Sequence, residues 1–289
     1  MTVDAAAAAA PDVARARPAK VLAVVVTHNP PRPGTGSDGH DLARHLRALR
    51  AQCDVVVVDN ASTDAAWVAD CARAACCRVI RNTRNLGIAG AVNQAARIAM
   101  NEGHAWLATF DQDSQVPPGA IDGLLAMCAR HPQGARIAVA AVVHRDRVLG
   151  RDYHHAMDVI AEADGVRELR SAITSGSMVR VAVLQQLGPL EEQLFIDVVD
   201  HELCLRVRRA GWLVVEDTRF AMPHSIGSAT VHRLLGRTVV CTNHPPARLY
   251  YRTRNQLEIS RRYAAFDPLW SLKGVAQLVT AALRIVLFE

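Results

Sequence analysis

Asp111-Gln112-Asp113 sets two carboxylates one residue apart, directly after the apolar run Trp106–Phe110. Partly burying two like charges at a strand end is costly unless something compensates, and a divalent cation on a diphosphate does so. Side chains alternate along an extended segment, so both acids can address one locus from either side of Gln112. Structural capping is the alternative reading. A second acidic group, Asp197, Asp200 and Glu202, lies in a segment whose pattern predicts a helix from Phe195 to Arg209, stopped at Gly211. On such a helix Asp197 and Asp200 share a face while Glu202 points elsewhere. Acids in a first turn are favoured by the helix dipole, so part of this is ordinary helix chemistry. The apolar Phe195-Ile196 entry nonetheless sets them at the rim of a pocket, where Asp200 is the candidate general base for a hydroxyl.

Other residues suit the binding of an anionic ligand. Asp59 follows the run Val55–Val58 and could accept a hydrogen bond from a base or ribose; the alternative is that Asp59 or Ser62 caps the next helix. Thr27 and Asn29 end an earlier apolar run, and Asn85-Leu86-Gly87 opens a helix whose small residues permit close backbone approach. His224, after Pro223, could face a leaving diphosphate or the metal. Arg248, Tyr250, Tyr251, Arg252, Arg254 and Asn255 suit phosphate contact or packing on a sheet. The hydroxyl-rich segment Ile173–Val179 suggests a backbone pressed against a ligand or a plain turn. The adjacent His154 and His155 face apart on a strand and make a poor metal pair.

These residues need elements to position them. Val21–Val26 and Val55–Val58 are continuous apolar runs, as expected of parallel strands covered on both faces. With Arg78–Ile80 and Trp106–Phe110, and helical spacing over 41–52, 65–76 and 87–102, the rhythm is βαβαβαβ. Ligands of open parallel sheets bind beyond the carboxyl ends of the strands, which is where 27–29, 59–64 and 111–114 fall. The second half is less regular: a loop and helix over 115–131, a strand over 137–143, and a charged loop or hairpin lying over the sheet across 145–170. The expected organisation is a disordered tail over 1–19, a nucleotide-binding half over 20–114, an acceptor-binding and catalytic half of the same domain over 115–244, and a helical region over 245–289.

The chain has 289 residues, half of them hydrophobic and 21% charged, with a net charge of +5. This is a globular composition whose mild, dispersed basicity argues against nucleic acid as a partner. GxGxxG and GxxxxGK[ST] are absent, which weighs against dinucleotide-binding and P-loop folds. Seven cysteines without CxxC spacing, and no recognisable secretion signal, point to a reducing cytoplasm. From Leu269 to Phe288 the charged residues are Lys273 and Arg284, which with Gln277 and Thr280 form one polar stripe on an apolar helix. Such a helix fits the inner face of the cytoplasmic membrane, its cations toward anionic lipid. Docking on the chain's own core, or on a second copy to give a homodimer, is the alternative.

Val24–Pro30, Val58–Ser62, Asn85–Ala89 and Phe110–Ser114 together resemble the successive motifs of the family 2 glycosyltransferases. Thr174–Ser177, Phe195–Asp197 with Val199–Arg206, His244-Pro245 and Tyr250–Asn255 continue the likeness, which spans about residues 20–289. The FDQDS run (110–114) resembles bacterial rhamnosyltransferases of O-antigen and related surface polysaccharides. The resemblance implies a GT-A α/β fold, with a Rossmann-like mostly parallel sheet flanked by helices, and inverting single displacement from a nucleotide-diphospho-sugar. The donor implied is dTDP-L-rhamnose, with a UDP- or GDP-sugar as the alternative, and the acceptor a saccharide or lipid-linked sugar. Asp59 would touch the base, Asp111 and Asp113 would hold the ribose and Mg²⁺ or Mn²⁺, and His224 would add to the metal site. Thr27, Asn29, Asn85, Gly87, Gln112 and Arg254 would line the donor. Asp200 would be the base, with Glu202 orienting acceptor hydroxyls and Asp197 a nearby extra carboxylate. His28 replaces the usual tyrosine of the first motif, and Val199 the usual acid before the base. A nucleotidyltransferase and an inactive glycosyltransferase-like scaffold are the rival classes.

Overall fold

The computed structural model describes residues 19–32, 41–146, 150, 152, 158–224, 230–234, 237–241 and 244–288. The tail ahead of residue 19, the loop over 33–40 and the pair His154-His155 lie outside them. Four short strands, β1 (Val21–Thr27), β2 (Asp54–Asp59), β3 (Arg78–Arg81) and β4 (Trp106–Asp111), pair in parallel in the order β3-β2-β1-β4. The crossovers are α1 (Leu42–Arg50), α2 (Ala65–Ala74) and α3 (Gly87–Asn101). Asp41 caps α1 by accepting from Arg44 N, and Asp64 caps α2 by accepting from Trp67 N. Since Asp64 supplies the cap, worth about 1 kcal/mol, Asp59 and Ser62 are released from that role.

Both faces of the sheet are covered, which is why its strands are apolar throughout. Val21, Ala23 and Val25 pack with Leu42, Leu46 and Leu49 of α1 and Val68 of α2. Leu22 and Val24 face Val92, Ala95 and Ala99 of α3 on the other side. Register then aligns the polar strand ends, with Thr27 opposite Asp59 and Val26 opposite Asp111.

The rest of the sheet is mixed rather than parallel. After α4 (Ala120–Arg130) come β5 (Ile137–Asp146), β6 (Val159–Ala163), β7 (Val166–Leu169), β8 (Ser177–Arg180), α5 (Val181–Leu187), α6 (Val199–Arg209) and β9 (Leu213–His224). The nine-stranded order is β3-β2-β1-β4-β8-β5-β9-β7-β6, with β8 antiparallel to both neighbours and β5 parallel to β9. Within that charged stretch, Val159–Ala163 and Val166–Leu169 form a hairpin that extends the sheet edge in plane instead of covering its face. The hydroxyl segment before β8 is drawn into the sheet centre. Gly176 sits there at φ +74°, where a Cβ would come within 2.8 Å of Val142 Cγ2, so it is the sheet, not a ligand, that requires glycine.

A two-stranded ribbon, β10 (Thr230–Leu234) and β11 (Arg237–Cys241), precedes α7 (Pro246–Tyr263) and α8 (Pro268–Phe288). Asp267 joins the two helices to the body. It accepts from Arg170 at 2.9 Å and Arg208 at 2.8 Å, and from Trp270 N at 3.1 Å as the cap of α8. Pro268–Val286 is long and apolar enough to cross a membrane, and 17% of that stretch is buried. Trp270, Ser271 and Gly274 face the protein, while Leu272 (71% exposed), Val279 (57%), Leu283 (58%) and Val286 (82%) form an outward apolar stripe. Lys273 is not turned to a lipid face: its ammonium binds Asp158 at 2.5 and 2.6 Å.

Candidate active site

The carboxyl ends of β2, β1 and β4 form one polar edge. Asp59 is 1% exposed. Its Oδ1 accepts from Thr27 Oγ1 at 3.2 Å and from Ser62 N at 3.3 Å, while Oδ2 is buried with no partner among the described residues. An orphaned carboxylate oxygen at a strand end is an acceptor waiting for a donor. Asn29, at φ 47°, donates its N–H to Ser62 Oγ and accepts from both Thr63 N and Thr63 Oγ1 at 2.9 Å. His28 N donates to Gln112 Oε1 at 2.9 Å, so Gln112 ties the β4 turn to the end of β1. Beyond Asn29, a cleft of about 110 Å³ lined by Arg32, Thr63 and Trp67 has room for a side group but not for a nucleotide.

Asn60 is a hub whose weight the motif alone does not reveal. Its Nδ2 donates to Asn85 Oδ1 and the Gly87 carbonyl, and its Oδ1 accepts from Asn82 Nδ2 and Leu86 N. At Gly87 (φ +74°) a Cβ would fall 2.4 Å from the Phe195 carbonyl oxygen. The clearance there is occupied by the chain itself. The first amides of α3 are likewise taken, Gly87 N by Asn85 Oδ1 and Ile88 N by Phe195 O.

The acids gather on the neighbouring side. Asp111 N donates to Ser175 Oγ, whereas its carboxylate accepts no hydrogen bond from the described residues. Burial pushes that carboxyl up to about 7, with Asp113 and Asp200 pushing the same way and Arg248 opposing them. Asp113 is exposed on the turn. Beneath it, the buried His45 of α1 meets Phe110 edge-on at 6.0 Å. Burial holds that imidazole down to about 4, against the opposing pull of the Asp113 charge and the Asp111 backbone. His45 falls within the helical spacing Leu42, Leu46, Leu49, a signal that reads as core and not as site.

Asp200 is held from both oxygens. Oδ2 accepts from Thr174 N at 3.0 Å and Thr174 Oγ1 at 3.3 Å, and Oδ1 accepts from His201 N at 2.9 Å. The helix carrying it begins at Val199, not at Phe195 as the pattern suggests. Phe195, Asp197 and Val198 all have positive φ (62°, 61° and 66°), so Asp197 stands outside the helix and does not share its face with Asp200. Three side-chain-bearing residues in the left-handed region are strained by about 1–2 kcal/mol each and need external support. α7 supplies it. Asn255, fully buried, donates through Nδ2 to the carbonyls of Leu194 (2.7 Å), Ile196 (2.9 Å) and Asp197 (2.9 Å). Arg248 grips Asp197 bidentately at 3.0 and 3.1 Å, and Tyr251 stacks on Phe195 at 4.9 Å.

Two expected site residues lie apart from this cluster. Glu202 is buried against α7, accepting from Tyr263 Oη at 3.0 Å and ion-paired with Arg206 at 3.1 Å. Arg254 donates to Asn255 Oδ1 and the Gln193 carbonyl and lies over the Tyr250 and Tyr251 rings. His224 closes β9 through its backbone, and its side chain lies outside the described residues. Among the described residues, no group of three or more His, Cys, Asp or Glu side chains converges to enclose a metal. The donor set on offer is therefore Asp111 with Asp113. Hard carboxylate oxygens, one of them unbonded and desolvated, fit Mg²⁺ or Mn²⁺ in sites completed by substrate phosphates and water.

A nine-stranded mixed sheet with acids at the carboxyl ends of its parallel half defines the GT-A class of fold. The chain belongs to glycosyl transferase family 2, whose model matches residues 23–187, and it is a glycosyltransferase enzyme. It is 32% identical over 252 residues to the dTDP-rhamnosyl transferase RfbF of Shigella flexneri, covering 84% of this chain and 80% of that one. Among solved structures, the mannosyltransferase PcManGT of Pyrobaculum calidifontis, in complex with GDP-Man and Mn²⁺, superposes with a TM-score of 0.60 at 17% identity, covering 93% of this chain and 75% of that one. GalNAc-T7 with UDP, GalNAc and Mn²⁺ gives 0.52 at 13% identity over 75% of this chain. The chain spans 45% of that protein's length, and both structural likenesses are likenesses of fold.

Proposed function

We propose that the protein transfers a hexose, with inversion, from a nucleoside-diphosphate sugar to a hydroxyl of a saccharide or lipid-linked acceptor. The observation carrying this reading is the conjunction of an unbonded Asp111 carboxylate, Asp113 and a doubly held Asp200 at one sheet edge. Asp59 accepts from the base or ribose through its orphaned Oδ2, with Thr27, Asn29 and Gln112 shaping that end of the cleft. Asp111 and Asp113 would hold Mg²⁺ or Mn²⁺, which would supply positive charge to offset that of a departing diphosphate. Asp200 takes the acceptor proton at a carboxylate oxygen. The bonds from Thr174 and His201 fix its orientation, so little reorganisation is needed as the proton moves.

The donor is dTDP-L-rhamnose in the reading favoured by the relative that is 32% identical. A UDP- or GDP-sugar is the second reading, supported by the nucleotides bound in the structural neighbours. The outward apolar stripe of α8 supports peripheral contact with the cytoplasmic face of a membrane, which would bring the site to a lipid-linked acceptor. Release of nucleoside diphosphate from dTDP-rhamnose, UDP-glucose, UDP-galactose and GDP-mannose, with membrane glycolipid as acceptor, tests the reading. One donor should turn over in a metal-dependent way and Asp200→Asn should abolish transfer while binding that donor. Equal turnover in Asp200→Asn would remove Asp200 as the base, and no turnover of any donor would count against the function.

A further inference from the structure

α7 brings one cation to the acidic edge. Arg248, in its first turn, donates from Nε to Asp197 Oδ2 at 3.1 Å and from Nη2 to Asp197 Oδ1 at 3.0 Å. Nη1 has no hydrogen-bond partner among the described residues, and the side chain is 38% exposed. Its charge acts on Asp111 as well as on Asp197. Arg254, the arginine of the same stretch expected to touch the donor, is turned to the Gln193 carbonyl and two tyrosine rings. A diphosphate entering an edge lined by Asp111, Asp113, Asp197 and Asp200 meets like charge on every side, and a single divalent ion leaves that balance negative.

We infer that Arg248 is the protein's own diphosphate-binding side chain, its guanidinium aimed by Asp197 so that the free edge grips the distal phosphate of the nucleotide beside the metal. A planar guanidinium held by two parallel bonds on one edge keeps donors available on another, the geometry phosphate recognition uses. Asp197 is then a positioning residue, acting through Arg248. This also accounts for a carboxylate standing outside the helix, on backbone that is strained to put it there.

The inference rests on the nucleotide-sugar reading, and calorimetry separates the two. dTDP and UDP, and the monophosphates dTMP and UMP, are titrated into the full chain with Mn²⁺. Arg248→Ala should weaken diphosphate binding about 10- to 100-fold, the loss of a charged hydrogen bond, and leave monophosphate binding unchanged. Arg248→Gln keeps a hydrogen bond to Asp197 and guards against misfolding of the alanine variant; it should lose diphosphate affinity equally. Arg248→Lys should recover part of it. Diphosphate affinity equal to the parent's in the Ala and Gln variants would overturn the assignment alone, as would parallel losses for mono- and diphosphates, which mark a structural role. A parent that binds no diphosphate would overturn the nucleotide-sugar reading and this inference with it.

Discussion

At the residue scale, the sharpest consequence concerns Asp111. Its folded carboxyl titrates near 7, well above the ordinary range, because burial and two neighbouring carboxylates disfavour the charge. A folded state that binds the proton more tightly than the unfolded chain gains stability when protonated. This contribution is fully present below about pH 4 and is lost as pH rises through 7. Without divalent cation, Asp111→Asn should therefore raise the thermal midpoint at pH 8, by on the order of 2–4 kcal/mol of stability, and make little difference at pH 4. His45 works in the opposite direction: an imidazole held down to about 4 costs stability as pH falls below about 6.5. The difference between parent and variant across pH isolates Asp111, and a flat difference would remove the account of its environment. Asp111, Asp113, Asp59 and Asp200 were legible because acids after apolar runs are conspicuous. Asn60 and Asn255 draw their weight from carbonyls and amides far along the chain, and short-range pattern does not contain those partners.

At the element scale, the structure and the sequence pattern part company at the start of α6. Phe195–Asp200 reads as helix because its apolar and acidic residues fall at helical spacing, yet three left-handed residues delay the helix to Val199. Only the tertiary support from α7 makes that backbone tenable, so the delay is invisible locally. Asn255→Asp keeps the shape but removes the donor and sets a carboxylate against three carbonyls. It should cost about 2–4 kcal/mol in denaturant unfolding and lower turnover at least about tenfold. Turnover unchanged would show that the 195–198 segment does not need its observed conformation. The parallel crossovers were readable from apolar runs and turns. The antiparallel insertion of β8 was not, because Thr174–Ser177 satisfies its hydroxyls within the sheet centre, and hydroxyls there mimic a binding loop. Asp267, buried between Arg170 and Arg208, belongs to this scale too. Asp267→Ala should destabilise by about 3–5 kcal/mol, read as a lowered thermal midpoint, since it strands two arginines and uncaps α8.

At the scale of the whole molecule, the body presents an acidic sheet edge and, separately, a helix with an outward apolar stripe. The stripe was visible in the spacing of the last helix, but the direction of Lys273 was not, because Asp158 lies 115 residues before it. Leu272→Glu, Val279→Glu and Leu283→Glu together change exposed residues, so folding should be retained while co-sedimentation with phosphatidylglycerol-containing vesicles falls at least about tenfold. Undiminished co-sedimentation would contradict a lipid-facing helix, and a shift from dimer to monomer in sedimentation velocity would assign the stripe to a second copy. If Asp111 and Asp113 present a cation to a nucleotide-diphospho-sugar, calorimetry of the donor with and without Mn²⁺, in the parent and in Asp113→Ala, will register it. Binding in the parent should depend on the metal and weaken at least about tenfold in Asp113→Ala. Binding indifferent to metal, or unchanged in Asp113→Ala, would contradict it.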